Sequence, residues 1–269
     1  MNPKAPIPVL DCVPADLETM EYGNYKPAGS ISSHSNLFLH ISYLDAYIYD
    51  TSMMHNALIR GFNSVVTQAA KIQPCEVSAF ATYVAAFCET LRRHCEGILI
   101  VNQRNQSIAN PGTVGENEII FPRLVTHVAL DGSDNVAVLQ KLERVEEWVR
   151  EAVETPQKTD PMELKAAMEV LAPVFALNMH DQVKQMSPAL LRPFTSGPEL
   201  RALVDDDIVW IGQNSHMEYL LPFLFLHHDR TTNAYWPGLP AEAKAAVPAL
   251  VGMHSESWTY APFSVNDIL

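Results

Sequence analysis

Metal-ligand chemistry is scattered along this sequence in short apolar settings: His55 in "MHNALIRGF", His94 in "LRRHCE", Glu116 and Glu118 in "GENEIIFP", and His180 with Asp181 in "LNMHDQV". Imidazole and carboxylate both bind divalent metals, and helical bundles assemble such sites from inward-facing groups on several helices. Each histidine here has apolar neighbours: Met54 and Leu58 around His55, Leu91 before His94, Met179 and Val183 around His180. One such histidine is more often a satisfied core residue than a ligand. Separate helical segments each donating a group make a stronger pattern. His94 and Glu116 are held apart by a polar insertion at about 97–115, rich in Asn, Gln, Gly and Pro. Asn178 and Gln182, flanking His180 and Asp181, add amide oxygens of the kind hard cations accept.

The elements that must position these groups read as helices. Leu37, Ile41, Leu44, Ile48, then Met54, Leu58, Phe62 and Val65, recur at three- and four-residue spacing, with a break expected near Asp50-Thr51-Ser52. Val77, Phe80, Val84, Phe87 and Leu91 mark a second helix from about 74 to 95. Val138, Leu142, Val145 and Val149 mark another, and a long helix after 161 contains Pro173, where a kink is expected. Strand-like alternation is nearly absent. The expected fold is all-α: a bundle at 37–269 with additional C-terminal helices, following an irregular lead-in at 1–36.

Composition narrows the functions. The chain of 269 residues carries a formal charge of −13, which disfavours nucleic acid and anionic membranes as partners. "MNPKAPIPVLDCVPADLE" has no apolar core of a secretory signal, and no apolar run approaches the ~20 residues of a membrane span. A cytoplasmic protein is expected. Cys12, Cys75, Cys88 and Cys95 lack paired spacing and read as free thiols. Nucleophile elbows, Walker loops and dinucleotide fingerprints are missing.

The blocks "MHNALIRGFNSV", "RRHCE…GENEIIFP", "LNMHDQV" and "YLLPFLFLHHDRTTNAYWPGLP" resemble fungal hemerythrin-like domain proteins over roughly residues 38–260. That resemblance implies a four-helix bundle normally holding a pair of irons through histidines and carboxylates. Carried over, His55 matches the first ligand, and His94 with Glu116 matches an HxxxE pair split by the insertion, with Glu118 beside it. The third helix, where the family has a histidine, offers only Gln140 and Glu143 as its nearest polar groups. The fourth has Asn178 and Gln182 where a histidine and a carboxylate are expected, leaving His180 and Asp181.

Loss of imidazoles turns the expectation toward an oxygen-richer site. Some fungal proteins resembling hemerythrins are non-standard sesquiterpene cyclases, which use Mg²⁺ to bind and ionise a prenyl diphosphate. On that reading Glu116, Asp181, Gln182 and Asn178 hold Mg²⁺, and Arg60 or Arg93 grips the diphosphate. Trp210, Tyr219, Phe223 and Trp258 would then face carbocations in an apolar cavity. "DDDIVW" fails the spacing of an aspartate-rich metal motif, and the lysine such cyclases carry near the C-terminus is missing from "HSESWTYAPFSVNDIL". The alternatives are a non-haem iron protein using His55, His94, Glu116 and His180, and a metal-free cyclising or binding protein. The partner expected is a small isoprenoid diphosphate, with a second copy of the chain as a further candidate.

Overall fold

A computed structural model of the protein describes residues 6–9, 43–104, 133–185, 210–231 and 236–267. The regular secondary structure among these residues is helical, with no strand among them. In chain order the helices are α1 (Tyr43–Ala69), α2 (Val77–Arg104), α3 (Ser133–Glu154), α4 (Pro161–Gln185), α5 (Met217–Leu226), α6 (Ala241–Met253) and the short α7 (Ser255–Trp258). The all-α expectation therefore holds for the described residues, and none of these helices is long and apolar enough to cross a membrane.

The four long helices form a closed ring of neighbours: α1 against α2, α2 against α3, α3 against α4, and α4 back against α1. Helix α5 packs on α1 and α2 and carries α6 on its other side. Each long helix buries the row its spacing announces, such as Val138, Leu142 and Val145 on α3. Local chemistry fixes the turn between α3 and α4. Asp160 accepts the Met162 amide through Oδ1 at 2.9 Å, Pro161 occupies the first helical position, and the Trp148 indole donates to the Asp160 carbonyl at 2.9 Å.

Aromatic rings fill the middle of the ring of helices. Phe62 of α1 stacks on Phe175 of α4 at 4.8 Å, and Phe87 of α2 meets both edge-on. Phe223 of α5 joins them through Phe87. Full burial of such a side chain is worth about 1.5–3 kcal/mol. Gly61 makes this docking possible, because a Cβ there would lie 2.7 Å from Phe223 Cζ.

Two boundaries differ from the expectation. Helix α1 runs through 50–52 without a break, and Ser52 is buried inside it. The polar residues suited to an N-cap are overruled by burial of Met53 and His55–Ile59 immediately after them. Helix α2 continues to Arg104, so residues 97–104 of the expected insertion are still helical. The segment "GILIVNQR" has no proline to stop it. Pro173 sits on the outer side of α4 without ending it.

Candidate metal centre

Polar side chains from all four long helices converge inside the bundle. His55 of α1 is fully buried. Its Nδ1–H donates to the Met179 carbonyl of α4 at 2.8 Å, since a carbonyl can only accept. That bond fixes the tautomer and leaves the Nε2 lone pair pointing away. Nε2 meets His94 Nε2 of α2 at 3.0 Å, the two rings standing edge to face at 85°. In the neutral pair His94 Nε2–H donates and His55 Nε2 accepts.

Both imidazoles are held well below their ordinary pKa. Desolvation is the main cause for each, reinforced at His94 by the facing His55. Neutral imidazole is the form that binds metals. The Gln182 carboxamide lies close enough to both rings to favour their protonated forms a little, yet its buried Oε1 has no hydrogen-bond partner among the described residues. One turn earlier on α4, Asn178 donates Nδ2–H to Asn135 Oδ1 of α3 at 2.7 Å. The Asn178 Oδ1 is also buried without a partner among the described residues.

The centre therefore consists of His55, His94, Asn135, Asn178 and Gln182. Among the described residues no three His, Cys, Asp or Glu side chains gather as a metal site. The donors besides the two imidazoles are amide oxygens, and the two orphaned ones are what a cation would satisfy. The 3.0 Å between the facing nitrogens also fits. Ligands about 2.1 Å from an ion and at right angles to each other stand about 3.0 Å apart.

Other residues singled out in the sequence lie elsewhere. Glu116 and Glu118 fall outside the described residues. His180, expected among core-facing residues, turns outward and donates Nε2–H to the Pro8 carbonyl at 3.1 Å; its neighbour Asp181 is half-buried. Arg93 pairs with Glu96 at 2.8 Å, and its buried Nε has no hydrogen-bond partner among the described residues. Arg60 donates to the His227 carbonyl at 3.1 Å and lies over the Phe263 ring.

Two of the expected cavity aromatics border one ring cluster, Phe223 through His227 and Trp258 through Tyr83. Phe223 is fully buried and stacks on His227 at 4.0 Å, whereas Trp258 stands edge-on to Tyr83. Tyr219 packs beside His254, and Trp210 is half-buried in the helical stretch 210–214. Cys95, next to His94, has its thiol pushed up to about 12 by burial, so it is no thiolate nucleophile at neutral pH.

Asn135 was missed by sequence reasoning, although the signal was there. It stands three residues before Val138, so it continues the inward row of Val138, Leu142 and Val145. A second buried polar node, also unforeseen, joins Tyr83 and His227. Tyr83 O–H donates to His227 Nε2 at 2.7 Å, and His227 Nδ1–H donates to the Phe223 carbonyl at 2.7 Å. It ties α5 to α2 with every ring nitrogen of His227 satisfied.

Compared with known proteins, the chain matches no family model, no curated protein and no solved structure.

Proposed function

We propose that the protein is a metal-binding helical bundle of the hemerythrin-like kind, holding a divalent first-row transition metal, iron foremost. His55 and His94 are its imidazole ligands, with Gln182 and Asn178 as oxygen donors. The observation that carries this reading is the pair of neutral imidazoles, His55 fully buried and His94 half-buried, facing each other through Nε2. Imidazole suits Fe, Zn and Cu, whereas Mg²⁺ prefers oxygen alone.

When bound, iron would supply Lewis acidity and one-electron chemistry toward dioxygen. The chain's own residues bind and orient. The Met179 carbonyl holds the His55 ring in one tautomer, and Asn135 turns the Asn178 carboxamide. One observation favours the Mg²⁺-dependent prenyl diphosphate cyclase as a second reading: the two orphaned amide oxygens are hard donors.

Elemental analysis after dialysis against Fe²⁺ or Mg²⁺, with incubation of the same sample with farnesyl diphosphate, separates the two. Iron retained by the parent protein, and lost in His94→Ala while kept in His254→Ala, is the expected outcome. Iron retention unchanged in His94→Ala sinks the centre. A terpene product that needs Mg²⁺ moves the assignment to the cyclase.

A further inference from the structure

Residues 6–9 bridge α1 and α4 from outside. Ile7 donates its amide N–H to Asn63 Oδ1 at 3.0 Å, and its carbonyl accepts from Asn63 Nδ2 at 2.8 Å. One carboxamide can take both groups because an extended residue points its N–H and C=O to the same side, and a residue before proline is biased toward extended backbone. The Ile7 side chain packs against the core. The next carbonyl, that of Pro8, accepts from His180 Nε2–H of α4 at 3.1 Å. Pro8 has no N–H to satisfy, so each polar backbone group from Ile7 N to Pro8 O has its partner.

The same two helices meet at the candidate centre. His55 of α1 takes its orientation from the Met179 carbonyl of α4, and Gln182 of α4 lies beside both imidazoles. His180 follows Met179 directly and precedes Gln182 by two residues, while Asn63 stands about 12 Å beyond His55 along α1. His180 is also near enough to His55 for a positive charge on it to disfavour protonation of the buried ring. A shift of α4 away from α1 would therefore lengthen the His55–Met179 bond and draw Gln182 away from the imidazoles. A bridge of three hydrogen bonds and one partly buried side chain is the kind of element that opens locally, well before a bundle unfolds.

From this we infer that residues 6–9 are a clasp on the centre: seated between Asn63 and His180, they hold α1 and α4 at the spacing the His55–Met179 bond needs, and their release loosens the site. Asn63 and His180 are positioning residues, acting on His55 through the helices that carry them. The clasp sets how readily a metal leaves the centre, and in this respect it rests on the metal-binding reading. Its effect on His55 in the metal-free protein does not.

Exchange of two buried imidazole protons with water, followed by NMR on the metal-free, isotope-labelled protein, separates a clasp from a merely structural contact. His55 Nδ1–H is bonded across the seam to Met179, whereas His227 Nδ1–H is bonded one turn back in its own helix, to Phe223. Both rings are fully buried. Ile7→Asp expels the clasp without altering α1 or α4. It is expected to speed exchange at His55 at least about tenfold and to leave His227 unchanged. Asn63→Leu and His180→Phe should act in the same direction, and His180→Gln, which keeps a donor for the Pro8 carbonyl, should restore slow exchange. No change at His55 in Ile7→Asp, or equal acceleration at both rings, overturns the inference. Loss of iron from the loaded protein to excess chelator is the second readout, expected to quicken by a similar factor in Ile7→Asp. If the parent retains no iron while the His55 proton still responds, the clasp stands and the metal-binding reading falls.

Discussion

His227 gives the bundle a built-in sensitivity to acid. It is fully buried, and desolvation pushes its pKa from 6.5 down to about 3, with the nearby Arg60 charge acting in the same direction. In the unfolded chain the ring takes up a proton below about 6.5; in the folded chain it stays neutral until about pH 3. Its contribution is therefore complete above pH 6.5 and is lost as pH falls toward 3. Between pH 7.5 and 5.0 the loss from this one residue is about 2 kcal/mol. His55 and His94 are depressed for the same reason and add to it with the same sign.

Urea denaturation followed by circular dichroism at the two pH values gives the parent protein's loss. His227→Gln keeps an acceptor for Tyr83 but removes the titrating group, so its loss between pH 7.5 and 5.0 is expected to be smaller by about 2 kcal/mol. If His227→Gln loses as much stability as the parent across that interval, burial of a neutral His227 is not what the acid acts on.

Two further substitutions probe the packing and the centre. Gly61→Ala places a Cβ 2.7 Å from Phe223 Cζ, so the ring must move. The overpacking cost of about 1–3 kcal/mol exceeds the roughly 1 kcal/mol gain in helix propensity, and a lower urea midpoint is expected. Asn135→Leu leaves Asn178 Nδ2 buried without its acceptor and is expected to cost about 1–3 kcal/mol in the same assay. It should also weaken iron retention, which Asn135→Asp, keeping the acceptor, restores. Equal iron retention in both Asn135 variants would detach Asn135 from the centre.

What could be read from the sequence follows the strength of each local signal. The α3 row of Val138, Leu142 and Val145 is unambiguous because its polar side is continuous and charged. Helix α4 was readable as a helix but not as to which side faces inward, since apolar residues surround it. That is why His180, between Met179 and Val183, looked buried and is not. His55 and His94 were legible as ligand candidates, each on a clear apolar row, although their mutual distance is set by how α1 crosses α2, which no local pattern encodes. The Met179 carbonyl could not be foreseen at all, because any residue could supply it. The break expected at 50–52 shows the limit in the other direction, where capping propensity lost to packing.

The chemistry of the centre turns on charge. Two neutral imidazoles and two carboxamides can sit inside a bundle without a counter-ion, at the cost of leaving the Asn178 and Gln182 amide oxygens unpaired among the described residues. A divalent ion bound by these groups alone would bring two uncompensated positive charges into the same place. Burial that is tolerable for the empty centre becomes expensive for the filled one unless a carboxylate accompanies the ion. Among the described residues a carboxylate adjoins the orphaned Gln182 amide: Asp181, half-buried beside it on α4.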